Sequence, residues 1–69
     1  MSDASLATTA AELSAISDAV ERARDRVGDL AAPYLGGDRE DVVAAIVEAE
    51  RELRRAARAL QRSLKVVRG

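Results

Sequence analysis

The chain has 69 residues, a formal net charge of −1, and neither cysteine nor histidine. This composition excludes disulfides, thiol nucleophiles, imidazole bases and the usual zinc ligands, so we expect no enzyme, no metal and no cofactor. The 16 Leu, Val and Ile residues are few for one stable domain of residues 1–69, which predicts self-association or a partner.

The first predicted element is a helix over about residues 3–34. Apolar residues recur there with heptad spacing, the pattern of an amphipathic helix that packs along one seam. The predicted seam residues of this helix are Leu6, Leu13, Ile16, Val20, Val27 and Leu30. Ser2, Asp3 and Ser5 are candidate N-caps, because their side-chain oxygens can accept a hydrogen bond from a free backbone N–H.

A corner at residues 35–38 follows, within the stretch PYLGGDRED. Proline removes a backbone donor, and glycine can take the left-handed conformation that ends many helices. The predicted corner residues are Pro33, Gly36, Gly37 and Asp38. Asp38, with Asp41 three residues later, is similar to a capping box and predicts the start of a second helix.

The second helix is predicted over about residues 39–67. Its seam residues are Val43, Ile46, Leu53, Ala57, Leu60, Leu64 and Val67. Glu50 is polar at a seam position. We expect it to reach Arg22 or Arg24 across the hairpin, or to set the register of an oligomer.

Two helices of similar length around a short corner predict an all-α fold, an antiparallel two-helix hairpin that dimerises into a four-helix bundle. A corner centred between Gly36 and Gly37 places residues whose numbers add to about 73 opposite each other. This register lays residues 1–21, with a net charge of −4, beside residues 51–68, with a net charge of +6. The charge pattern therefore favours the same orientation as the seams.

Two surface features match binding surfaces. A row of alanines four residues apart lets another helix approach closely and is the predicted oligomer face: Ala7, Ala11, Ala15, Ala19 and Ala23. A basic row follows one side of helix 2 with spacings of four, three, four and three, which suits a phosphate backbone: Arg51, Arg55, Arg58, Arg62 and Lys65.

The pattern predicts a small self-associating interaction module, an adaptor, subunit or regulator whose partners are itself and another protein. The alternatives are a nucleic-acid-binding helical bundle that uses the basic row, and one half of a heterodimeric helical complex. No uncharged stretch is long enough to span a bilayer. The first twenty residues carry acids and no base, unlike a secretory leader. We therefore expect a cytoplasmic protein with no membrane partner and no small-molecule substrate.

Overall fold

The computed structural model describes residues 5–69, which are almost entirely helical. One α-helix, α1, spans Leu6–Asp29, a 3-10 turn spans Ala32–Tyr34, and a second α-helix, α2, spans Glu40–Arg68. The two α-helices pack against each other, so the predicted all-α helical hairpin is confirmed. The molecule is long and thin, with extents of 58 × 17 × 14 Å.

Ser5 begins α1. Its backbone is extended, and its Oγ accepts a hydrogen bond from the Thr8 backbone N–H at 2.9 Å. This bond satisfies one of the free donors of the first helical turn. Of the three candidate N-caps, Ser5 has this role, while Ser2 and Asp3 lie outside the described residues.

Pro33 explains why α1 ends at Asp29, short of the predicted residue 34. Inside an α-helix, the ring of Pro33 would collide with the carbonyl of Asp29, four residues earlier, and would leave that carbonyl without its donor. The backbone forms tighter turns instead. Leu30 N–H donates to the Val27 carbonyl, and Pro33 enters the 3-10 turn. The connection therefore occupies residues 30–39 rather than the predicted 35–38.

Gly36 and Arg39 shape the second half of the connection. Gly36 has a φ of +78°, the left-handed conformation predicted for it. The predicted cap at Asp38 is corrected, because Arg39 is the N-cap of α2 and makes no side-chain capping bond. The Asp41 carboxylate accepts two hydrogen bonds from the Arg39 guanidinium instead, each 3.0 Å long. Glu40 and Asp41 place negative charge at the positive N-terminus of α2.

Two contacts between α1 and α2 fix the register of the hairpin. Gln61 Nε2 donates to Ser17 Oγ at 3.0 Å, and the Glu50 carboxylate lies against Gly28. The residue numbers of both pairs add to 78, whereas the sequence predicted 73. The sum is higher because the chain reverses direction only after the 3-10 turn, so α2 begins beside this turn rather than beside the end of α1.

Small residues line the contact between the two helices. Ser17 of α1 and Ala57 of α2 are at most 5% exposed, Ala31 of the connection is 8% exposed, and Leu64 is the one larger side chain with comparable burial among residues 5–69. Small side chains let two helices approach closely. The buried Ser17 hydroxyl keeps a hydrogen-bond partner in Gln61, so its burial leaves no unpaired polar atom.

Gly28→Ala tests the close approach at the end of α1. A Cβ on Gly28 would lie 2.9 Å from Glu50 Oε2, but that atom ends a flexible side chain whose ion pair with Arg54 is 3.6 Å long. We expect the carboxylate to move aside. The free energy of unfolding in urea should then rise by about 0.5–1 kcal/mol, the difference in helix propensity between Gly and Ala. A loss of stability that a second change, Glu50→Ala, reverses would contradict this expectation.

The pair of Arg39 and Asp41 predicts a pH dependence. Hydrogen bonds from Arg39 hold the pKa of the Asp41 carboxyl below its usual value. Because the folded-state pKa is the lower one, the pair stabilises the start of α2 above the unfolded-state pKa, and this contribution is lost as the pH falls through the folded-state pKa. In an NMR titration, Arg39→Ala should raise the Asp41 pKa toward its usual value, because the largest cause of its lowering is lost, while Arg51→Ala should leave it unchanged. Equal pKa values in wild type and Arg39→Ala would show that the pair does not form.

Candidate interaction surface

The predicted seam of α2 lies toward α1. Ala57 and Leu64 are buried. The other predicted seam residues of α2 are half-buried: Val43, Ile46, Leu53, Leu60 and Val67. The heptad pattern of α2 therefore marks the side that faces the other helix.

The predicted seam of α1 needs correction. Leu6, Ile16 and Leu30 are 70%, 46% and 60% exposed, although the heptad pattern placed them against α2. Ser17 takes the central position of the contact with an exposure of 1%. Consecutive residues of an α-helix are about 100° apart, so Ile16 points well away from the direction of Ser17. Leu6 lies beyond the end of α2 once paired residue numbers add to 78.

The large aliphatic residues occupy matching positions in the two helices. We count positions from the buried residues Ser17 in α1 and Ala57 in α2. In each helix a large aliphatic residue lies four positions before, three after and ten after this reference. These residues are Leu13, Val20 and Val27 in α1, and Leu53, Leu60 and Val67 in α2. All six are half-buried. Because the helices are antiparallel, equal offsets from the contact line turn to the same side of the hairpin. One side of the hairpin is therefore apolar along both helices.

Further apolar residues extend this side. By the same helical geometry, Ile16 and Ala23 of α1 and its C-cap Leu30 lie on it, as do Val42, Ala49 and Ala56 of α2. These six residues and the six large aliphatic residues of the preceding paragraph form one surface. We call it the apolar face. A shallow hollow lined by Ala23, Arg26, Val27 and Leu30 opens on it near the end of α1. Within residues 5–69 the only other element is the short 3-10 turn, so no further α-helix covers this face.

The opposite side of the hairpin is charged. The residues one, four and eight after the same reference positions are Asp18, Glu21 and Asp25 in α1, and Arg58, Gln61 and Lys65 in α2. We call this side the charged face. A cleft between the helices here has arginines and Glu21 in its lining. The acidic half of α1 thus lies beside the basic half of α2, as the charge pattern predicted.

The ion pairs are local, however. All five that the structure describes join residues at most four apart in the chain. Glu50 pairs with Arg54 at 3.6 Å in its own helix, not with Arg22 or Arg24 across the hairpin. The register explains this difference, because it places Gly28 opposite Glu50.

The alanine row winds around α1. Ala7, Ala11, Ala15 and Ala19 are exposed, and Ala23 is half-buried. Residues four apart drift by about 40° around a helix, so the row starts near the charged face and joins the apolar face only at Ala23. The larger residues of the heptad pattern, rather than the alanine row, form the broad unpartnered surface of α1.

All five residues of the basic row are exposed, and Arg58 and Arg62 border the cleft between the helices. Arg51 is paired with Glu48 at 2.6 Å and Arg55 with Glu52 at 3.5 Å. Within residues 5–69, no carboxylate lies at ion-pair distance from Arg58, Arg62 or Lys65. The second half of the row therefore carries the greater unbalanced positive charge.

Comparisons with known proteins add nothing to this geometry: no family model, no curated protein and no solved structure matches the chain. None of the described helices combines the length and the apolar character that a bilayer span requires. No cluster of three or more acidic side chains suited to a metal ion occurs in the described part of the chain. The apolar face and the charged face are therefore the features from which a function has to be argued.

Proposed function

We propose that the chain is a self-associating helical-hairpin interaction module, in which the apolar faces of two copies pack together as a four-helix bundle. The observation that carries this proposal is the apolar face itself. Its large residues come from both helices, none of its members is charged, and Ile16 and Leu30 remain 46% and 60% exposed in the single hairpin. Exposed apolar surface of this breadth is typical of a protein–protein interface.

The surface area of the chain is large enough for an interface of standard size. The chain exposes 5186 Å², whereas a compact protein of 7.3 kDa exposes about 4,200 Å². Its radius of gyration is 16.3 Å, against about 11 Å for a compact chain of 69 residues. The excess of about 1,000 Å² is comparable to the roughly 800 Å² that each partner buries in a standard interface.

A second copy fits the apolar face better than an unrelated chain does, because the face is self-complementary. Leu13 and Leu53 share one offset from the contact line, and Val27 and Val67 share another. A twofold rotation therefore brings rows of similar size and spacing against each other, as an isologous dimer requires. The charged face stays outside such a bundle and is free to contact another protein, which suits an adaptor, subunit or regulator without catalytic activity.

The double change Ile16→Glu and Leu30→Glu tests this proposal. Both side chains are already exposed in the hairpin, so the hairpin itself tolerates the change, but two carboxylates on each apolar face would be buried on dimerisation. We expect sedimentation equilibrium to show a dimer for wild type and a 7.3 kDa monomer for the variant at the same concentration.

Val66→Glu is the matched control. Val66 is 80% exposed and lies on the side of α2 away from α1, outside the apolar face, so its change should leave the dimer intact. A wild-type chain that stays monomeric and helical at high concentration would contradict self-association and favour the heterodimer. Dissociation by Val66→Glu alone would place the interface elsewhere.

Nucleic-acid binding by the basic row is a second proposal, supported by the unbalanced charge of Arg58, Arg62 and Lys65. We expect any affinity for RNA or DNA at low salt to fall steeply when these three residues become Gln, and less when Arg51 and Arg55 do, because those two are already paired with glutamates. Fluorescence anisotropy with short labelled duplexes and single strands measures this. Undetectable binding of wild type at low salt would end the proposal.

A further inference from the structure

The cleft on the charged face is rich in arginine. It has a volume of about 470 Å³ and lies between α1 and α2, with Ala57 and Gln61 in its lining. Four other lining residues are arginines, Arg24 from α1 and Arg54, Arg58 and Arg62 from α2, and they carry more charge than the single carboxylate, Glu21, can balance.

The guanidinium groups of this cleft are weakly engaged by protein carboxylates. Arg24 is 3.4 Å from its chain neighbour Asp25, and Arg54 is 3.6 Å from Glu50. Strong charge-assisted bonds of this kind are about 2.7–2.9 Å long. Arg58 and Arg62 have no carboxylate at ion-pair distance among residues 5–69. A ligand with better-placed oxygens would therefore meet available donors.

The spacing of these arginines indicates the size of the anion. Arg54, Arg58 and Arg62 follow one another at four-residue intervals, about 6 Å along the axis of α2. Arg24 lies opposite Arg54, since these numbers also add to 78. A guanidinium binds phosphate oxygens in pairs through its planar fork. A single phosphate group can engage the arginines at one height of the cleft, whereas two linked phosphates can also reach the next arginine along α2.

We infer that this cleft binds a small molecule that carries a diphosphate group. The site is independent of the proposed self-association, because the charged face lies opposite the apolar face and stays open whether or not two hairpins pair. Glu21 lies within the cleft and opposes the ligand charge, so it lowers the affinity without removing the site.

Calorimetric titration of the whole chain with inorganic pyrophosphate at low salt tests the inference. We expect saturable binding of one pyrophosphate per chain. The double variant Arg54→Lys and Arg58→Lys should weaken it by about tenfold, because lysine keeps the charge but lacks the planar fork. The control, Arg51→Lys and Arg55→Lys, keeps the same net charge on the same helix outside the cleft, and should change the affinity by less than about twofold.

A second pair of variants, matched in charge, tests whether the ligand also lies beside α1. Glu21→Gln should strengthen pyrophosphate binding by about threefold, whereas Glu12→Gln, an equal change of charge at an exposed position outside the cleft, should have a much smaller effect. Circular dichroism of each variant establishes that the helices are intact.

Three results would overturn the inference. One is the absence of saturation by wild type at millimolar pyrophosphate. Another is an equal loss of affinity in the cleft double variant and its lysine control, which would mean that diffuse positive charge attracts the anion. The third is binding of citrate or inorganic phosphate as tight as that of pyrophosphate, which would contradict the assignment to a diphosphate group.

Discussion

The close approach of α1 and α2 along small residues is the constraint on which the rest of the structure depends. Ser17 and Ala57 bring the two helices together, and the hydrogen bond from Gln61 to Ser17 holds both the rotation and the register of the pair. Since small side chains occupy the centre of the contact line, the six large aliphatic residues of the apolar face that have equal offsets lie on its flank. These six turn to one side because the helices are antiparallel and the offsets are equal. The amphipathic unit of this protein is thus the whole hairpin and not either helix alone.

This arrangement separates two surfaces that have different physical roles. In the proposed bundle, the apolar face supplies binding energy without much direction, because burial of apolar area is non-directional. The proposed role of the charged face is orientation, because complementary charge steers association more than it stabilises it. A hairpin only 14–17 Å thick has no room for a core of its own, and its few nearly buried residues are mostly small. Such a chain gains stability when its apolar surface is covered, and the proposed second copy supplies a face of the same shape.

The sequence predicts the helices, the left-handed Gly36 and the seam of α2, and it misplaces the seam of α1. The heptad pattern locates apolar side chains correctly but does not say which neighbour covers them. On α1 the heptad pattern marks the apolar face, and the contact with α2 falls on Ser17, which is polar and lies outside that pattern. The end of α1 follows from the sequence, because Pro33 conflicts with the carbonyl of Asp29 four residues earlier. The register does not follow from this end, because the chain reverses direction only after the 3-10 turn. The arginine cleft depends on that register, because the register brings Arg24 of α1 to the arginines of α2. The basic row already contains Arg58 and Arg62, but it includes neither Arg24 nor Arg54.

The most direct measurement of the central claim is an isotope-filtered NOE experiment on an equimolar mixture of labelled and unlabelled chains, which detects contacts between copies only. We predict cross-chain NOEs to the methyl groups of Ile16, Val20 and Leu60, which lie on the apolar face, and none to those of Val66, which lies outside it. A spectrum without cross-chain NOEs at millimolar concentration, or with NOEs at Val66 and none at Ile16, would contradict the claim that a second copy covers the apolar face.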